Sequence, residues 1–393
     1  MAVSPIAMLL PVHAVVTIGR LGYGRSSKVS MEQCRGRAGE HATWLAIALV
    51  LLPCGARAQV AAPEPVPPRP VEMLIGEFAG TGLVGEMNSS ETYGAVQARM
   101  GQYRAHANAE ANGADLSDLR DRAQALVVPA HVTFALPGDG RSFVKLGGAA
   151  IYSRSDESRP ANIDSDGYNG LAEYLRRIGD HQLVGLGIVA ETAAVTFRES
   201  HGTLDSNGVG LRVDYVNRLD AHTGLAVRAQ ALEGESTAQI PLGNGITIRS
   251  REQWRRYYTE ARLLETYDHS ALSWVPPGWF VRPALGLAYQ ATRGRGESPA
   301  KDENYGFIQG TVRLERLERR NWRLAPYVET GLIQQFVQDI ARKGDDSSIF
   351  YAKLGGSTNL AGHGRFDFYY ARREGLAGRY RQQTMNLLVS VNF

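Results

Sequence analysis

Ser200-His201-Gly202, with Asp205 close behind, brings together the residue types of a hydroxyl nucleophile, its imidazole base and an orienting carboxylate. On an extended chain neighbouring side chains point to opposite faces, so Ser200 and His201 diverge instead of sharing a proton. Loop decoration is therefore the better reading, and His269-Ser270 meets the same objection. Asn112-Gly113 has the composition of a self-cleaving asparagine site, but a glycine that ends a helix accounts for it. Asp156, Glu157, Asp164 and Asp166 are oxygen ligands of the kind calcium takes, yet their spacing matches neither an EF-hand nor a nonapeptide repeat. Gly185 to Gly187 sits inside a strand pattern with no helix after it, so it forms no phosphate cradle. No catalytic residue, cofactor or metal is expected, and a hydrolase is the third and least favoured functional reading.

The only two cysteines, Cys34 and Cys54, fall in a segment expected to be removed. From Met31, a stretch containing Arg35 and Arg37 leads into Trp44-Leu-Ala-Ile-Ala-Leu-Val-Leu-Leu52 and then Ala56-Arg57-Ala58. That is the order of a secretory signal peptide, cut between Ala58 and Gln59. Residues 1–30 lack a basic start and read as an upstream extension through a mis-assigned start codon. Removing the six basic and two acidic residues ahead of the cut from totals of 43 and 40 leaves the mature chain near −1. No basic block is free of interleaved acids, so a nucleic-acid partner is not expected.

Residues 59–87 hold a proline-rich tether, Ala61-Ala-Pro-Glu-Pro-Val-Pro-Pro-Arg-Pro70, and a short segment after it. Asn88-Ser-Ser-Glu91 offers a capping box, and Tyr93, Val96, Met100 and Tyr103 then recur at helical spacing. Asp115 can recap a second short helix running to about Leu126, so residues 88–126 read as a helical plug or linker. An apolar stripe this thin is marginal in water, and the helix must lie against something else.

From Phe143 onward the apolar period becomes two, in segments of about ten residues. Val209, Leu211, Val213 and Tyr215 alternate with Arg212 and Asp214; Trp279, Val281, Leu285, Leu287 and Tyr289 oppose Arg282 and Gln290; Phe366, Phe368 and Tyr370 oppose Arg365 and Asp367. Charges stand where a sandwich would be solvated and a barrel in lipid would enclose a wet lumen. The expected lumen charges are Arg212, Asp214, Arg228, Arg256, Glu260, Arg262, Arg282, Arg313, Glu315, Arg323, Glu329, Lys353 and Asp367. Structural pairing and a grip on the plug are preferred to ion selection as their role.

Two further observations favour lipid over a second sheet. Aromatic residues stand near segment ends (Trp254, Trp274, Trp279, Trp322, Phe350, Tyr380), as interfacial girdles do. Short connections such as Gly179-Asp-His181 alternate with long polar ones such as Glu199–Asn207 and Glu233–Glu252, as two unlike membrane rims would require. The fold class is thus all-β, a transmembrane antiparallel barrel over residues 127–393. About 12 strands are counted from near Arg141, with 14 as the alternative if Val127–Leu136 and Leu74–Val84 pair.

The pattern resembles the translocator domain of autotransporters over residues 115–393. The carrying segments are Tyr174–Ala190, Gly208-Val-Gly-Leu-Arg-Val-Asp-Tyr215, Trp279–Tyr289 and the last strand, whose Leu387, Val389, Val391 and Phe393 resemble the signal read by the barrel assembly machinery. Leu116-Ser-Asp-Leu-Arg-Asp121 resembles the helix that threads such barrels. The resemblance implies a Gram-negative outer-membrane location, a lipid and lipopolysaccharide surround, periplasmic chaperones, and the chain's own helix in the lumen. It further implies a translocator or anchor, non-catalytic, for an N-terminal passenger. Here only about 30 residues separate Gln59 from the helix, with no β-helix repeat. A porin-like or ligand-selective channel is the alternative.

Overall fold

A computed structural model describes residues 91–111, 121–138 and 140–392, apart from 156–162, 199–200, 244–245, 296–301, 317–323, 340–344 and 361–363. The signal peptide, the tether and the Ala58–Gln59 cut lie outside the described residues, as does Phe393.

Among the described residues one helix, α1 (Glu91–Ala111), precedes thirteen strands: β1 (Asp121–Ala135), β2 (Ser142–Ser155), β3 (Ile163–Ile178), β4 (Gln182–Phe197), β5 (Gly202–Arg218), β6 (Thr223–Gly243), β7 (Ile246–Glu265), β8 (Trp279–Arg295), β9 (Glu303–Arg316), β10 (Ala325–Gln338), β11 (Ser348–Leu360), β12 (Gly364–Gly375) and β13 (Tyr380–Asn392). Each strand pairs antiparallel with its sequence neighbour, and β1 closes the ring on β13. Among the described residues no helix is long and apolar enough to cross a membrane.

Alternation determines which face each residue takes. Outward positions carry Leu186, Leu211, Leu285, Leu332, Leu354 and Met385, all more than half exposed. Their inward neighbours include Asp214, Tyr258, Gln290 and Glu329, all nearly or fully buried. A water-soluble barrel would place these in reverse. An apolar belt outside and ionic side chains inside mark a barrel surrounded by lipid.

The strand number differs from expectation. Val127–Leu136, strand-like in sequence but outside the preferred count, belongs as far as Ala135 to β1, which begins six residues earlier at Asp121. The second helix expected to reach Leu126 is therefore strand from Asp121 on. An up-and-down ring with an odd number of strands must contain one parallel pair, and β1 and β13 supply it, from Asp121↔Tyr380 to Val127↔Asn386 and again from Ala130↔Val389 to Thr133↔Asn392. The interruption coincides with Pro129, which has no N–H to give the ladder. Leu387, Val389 and Val391 of the expected assembly signal share the outward parity of Met385, against β1 and β12.

The expected long loops are also corrected. Most of Glu199–Asn207 and Glu233–Glu252 is strand, because β5, β6 and β7 continue past the belt as tall hairpins. The asymmetry between the rims is thus one of strand height. We call the end carrying the tall hairpins the tall end, and the end where β13 finishes the low end. At the low end Asp220 accepts from the backbone N–H groups of His222 (2.7 Å) and Thr223 (2.8 Å), which hold its carboxyl below the usual range.

Two of the expected girdle aromatics point inward instead. Tyr380 is buried beside α1, and Trp254 lies in the lumen with its indole N–H donating to Ser236 Oγ at 3.0 Å. Trp254 fits only because Gly208 and Gly234 stand beside it in the ladder; a Cβ at Gly208 would come 2.5 Å from its ring. Gly208→Ala is expected to displace the indole from Val189 and Leu232 at a cost of about 1–3 kcal/mol. A lower urea midpoint with red-shifted tryptophan emission checks this; an unshifted midpoint rejects it. Trp274 and Phe350 are exposed as expected, Trp279 lies in reach of Arg316, and Trp322 is outside the described residues.

Candidate lumen site

The stripe read from the sequence is the stripe the lumen buries. Val96, Met100 and Tyr103 have no exposed surface, Tyr93 has little, and all four pack with Tyr258, Ala288, Tyr305, Phe307, Ile333 and Ile349. Burying an aliphatic side chain contributes roughly 1.5–3 kcal/mol. Gly94 and Gly101 each weaken an isolated helix by about 1 kcal/mol relative to alanine, so contacts with the wall, not intrinsic propensity, sustain α1.

Polar contacts fix its height in the barrel. Glu91, expected to close a capping box, instead places its carboxylate on Lys353 (2.7 Å), Arg373 (3.0 Å) and the Tyr351 hydroxyl (2.8 Å). Tyr93 donates to Glu191 at 2.5 Å, and the same carboxylate pairs with Arg256. Arg99 stacks on Tyr380 at 4.0 Å and donates to the Asp346 carbonyl at 3.3 Å. Tyr103 donates to Gln335 at 2.7 Å, and Arg104 grips Glu303 at the first residue of β9. Asp346 also accepts from the backbone N–H groups of Ala377, Arg379 and Tyr380, tying two tall-end connections together beside the helix.

These contacts give α1 a direction. Arg104 is held at the tall rim, whereas Glu91 is held by Lys353, within β11 and seven residues from its low end. The helix therefore rises from mid-lumen to the tall rim, and the chain re-enters the wall there at the head of β1.

The wall itself is a network of ion pairs. Along β7–β11, Arg282 reaches Glu315 (3.2 Å), Glu315 reaches Arg313 (3.8 Å), and Glu329 collects Arg313 (2.8 Å), Arg262 (3.3 Å) and Lys353 (3.7 Å). On the adjoining strands β5–β7 Asp214 holds Arg212 (2.6 Å) and Arg228 (2.9 Å), and Arg228 also reaches Glu260 (3.1 Å). Asp367 pairs with Arg365 near the low mouth at 2.8 Å. Each charge expected in the lumen is thus inside and paired, save Arg323, which lies outside the described residues. Sequence reasoning missed Glu91, Lys145, Glu173, Glu191 and Arg373. Parity offered a signal for Arg373, since outward Phe368 and Tyr370 put Tyr369, Ala371 and Arg373 on the inner face. Beside α1 two polar recesses remain, one lined by Glu191, Arg212, Arg228 and Gln230, the other by Asp214, Glu260, Arg262 and Gln309.

The remaining chemical candidates are not assembled. His201 occupies a tight turn at φ +52° and Asp205 faces outward on β5, while Ser200 is outside the described residues. His269 Nδ1 lies 2.7 Å from the Val275 carbonyl, and the Ser270 hydroxyl donates to Asp268 at 2.5 Å, which makes both residues turn formers. Asp164 is engaged by Arg198, and Asp156 and Glu157 are outside the described residues. Gly185 is the floor under Glu173 and Leu175. Asn112-Gly113 and Leu116–Arg120 lie outside the described residues, and the described lumen helix is the earlier segment, α1.

No family model matches the chain, and no curated protein matches it. Among solved structures it is similar to the β domain of the Bordetella autotransporter BrkA (16% identity, 58% of this chain and 88% of that one, TM-score 0.41). It is also similar to the translocator domain of NalP from Neisseria meningitidis (10%, 72% and 92%, TM-score 0.39) and to a FadL homologue of Pseudomonas aeruginosa (9%, 61% and 68%, TM-score 0.41). These likenesses are of fold. By its own geometry the chain is a β-barrel of outer-membrane type that carries its own helix in the lumen.

Proposed function

We propose that this protein is a non-catalytic outer-membrane anchor of translocator-like build, which retains its own short N-terminal segment by a helix fixed in the lumen. The direction of α1 carries the reading. With an even strand count a lumen helix just ahead of β1 would descend, and residues before it would leave through the tall rim. With thirteen strands β1 runs parallel to β13 and α1 ascends from Glu91, and on this reading the chain ahead of Glu91 enters from the low end. If β13 ends on the periplasmic side, that chain is periplasmic, and retention is favoured over export of a passenger.

The test uses a unique thiol, since a chain cut after Ala58 has no cysteine of its own. Gln59→Cys is expected to resist a membrane-impermeant maleimide on intact cells and to react once the outer membrane is permeabilised, whereas Thr247→Cys on the tall hairpin reacts in both. Labelling of Gln59→Cys on intact cells would restore the exporter. The recesses beside α1 favour a second reading, a channel that α1 obstructs.

A further inference from the structure

The outer face of β7 and β8 changes character abruptly at one height. Tyr257 and Tyr289 stand at the top of the apolar belt formed by Leu263, Leu285 and Leu287, and the Tyr289 hydroxyl donates to Asn304 at 2.9 Å, as an interfacial ring does. Immediately above, on the same outward parity, come Arg255, Arg293 and Arg295, then Arg251 and Arg249 further along β7. Arg255 and Arg293 are direct cross-strand partners. Like charges set opposite each other destabilise a sheet, and an anion between them removes the penalty.

Among the described residues the acids in reach, Glu233, Glu235 and Asp302, are fewer than the five arginines. Glu233 contacts Arg255 and lies 4.0 Å from Arg295, Glu235 contacts Arg251, and Asp302 lies 3.5 Å from Arg293. All these pairs are solvent-exposed, and pairs of that kind hold their partners weakly. We propose that this arginine cluster binds the phosphate groups of lipid A in the outer leaflet. Guanidinium forks match phosphate oxygens two at a time, and the cluster stands where lipid phosphates sit above acyl chains lying along the belt. The proposal rests on the reading that the tall end faces the cell exterior.

The full-length barrel, refolded in detergent, is incubated with bis-phosphorylated lipid A, with its dephosphorylated form, with phosphatidylglycerol and with inorganic phosphate, and retained lipid is counted by native mass spectrometry. The variant Arg249→Gln/Arg251→Gln/Arg255→Gln/Arg293→Gln/Arg295→Gln is compared with a low-end control, Arg141→Gln/Arg176→Gln. Lipid A retention is expected to fall about tenfold or more in the five-site variant, to be unaffected in the control, and to require the phosphates. Equal retention by variant and wild type, equal binding of dephosphorylated lipid A, or displacement by millimolar inorganic phosphate would each overturn the site. Loss of phosphatidylglycerol binding alone would also overturn it, by indicating that the tall end faces the other leaflet. Should the five-site variant lose the gel shift of a folded barrel on heating, Arg249→Gln/Arg295→Gln carries the same comparison. Labelling at Gln59 and the conductance of the plug are read without lipid A, so they fail or succeed independently of this result.

Discussion

Excision of residues 91–111 should convert a nearly silent pore into one whose single-channel conductance is at least about fivefold higher. Thirteen strands spaced about 4.8 Å apart and tilted near 40° enclose a backbone cylinder roughly 26 Å across, and side chains narrow that bore further. A helix with side chains is about 10–12 Å wide, so α1 takes most of what is left. The recesses beside it are lined in part by the paired charges Arg212, Asp214, Arg228 and Glu260. Planar-bilayer recording of the refolded deletion protein, with heat-modifiable mobility as the check on folding, decides the matter. Unchanged conductance would remove α1 from the role of seal and leave the channel reading without its gate. Arg99→Ala should act in the same sense but weakly, since Tyr103, Arg104 and Glu91 still hold the helix.

Glu329→Leu should destabilise the barrel by about 3–5 kcal/mol, the range for removing one partner of a buried ion pair. Glu329 is 2% exposed and is the common acceptor for Arg313, Arg262 and Lys353, so its loss takes a buried counter-charge from three cations at once, although Lys353 keeps Glu91 and Arg313 keeps Glu315. Urea-induced unfolding in detergent micelles measures the shift. Glu329→Leu/Arg313→Leu should recover part of the loss, because one uncompensated charge leaves with its partner. Arg365→Gln, at an exposed pair near the low mouth, should cost less than about 1 kcal/mol. A Glu329→Leu midpoint no lower than that of Arg365→Gln would mean that water in the lumen, not the network, solvates these charges.

Much of this was legible in the sequence because period two admits a single assignment of faces once lipid is accepted. The alternation of Arg212 and Asp214 with Leu211 and Val213 allowed no other interior, and the stripe of Tyr93, Val96, Met100 and Tyr103 identified the helix face before any partner was known. Strand count was harder: Val127–Leu136 has the pattern of a strand, but adding it alone to the twelve gives an odd number. Closure depends on long-range pairing between β1 and β13, which no local pattern reports. Trp254 was misread for a related reason: its inward parity is plain only if β7 runs unbroken through Glu252, and its accommodation depends on glycines in two other strands. Glu91 looked like a local cap, while its partners Lys353 and Arg373 lie more than 250 residues away.

The ascending course of α1 also sets how the protein responds to mechanical load. Tension on the chain ahead of Glu91 from the low end acts along the helix axis and draws it downward, while β1, stitched to both neighbours, resists at the far rim. Under such a load the Glu91 contacts should yield first and the Arg104–Glu303 pair last.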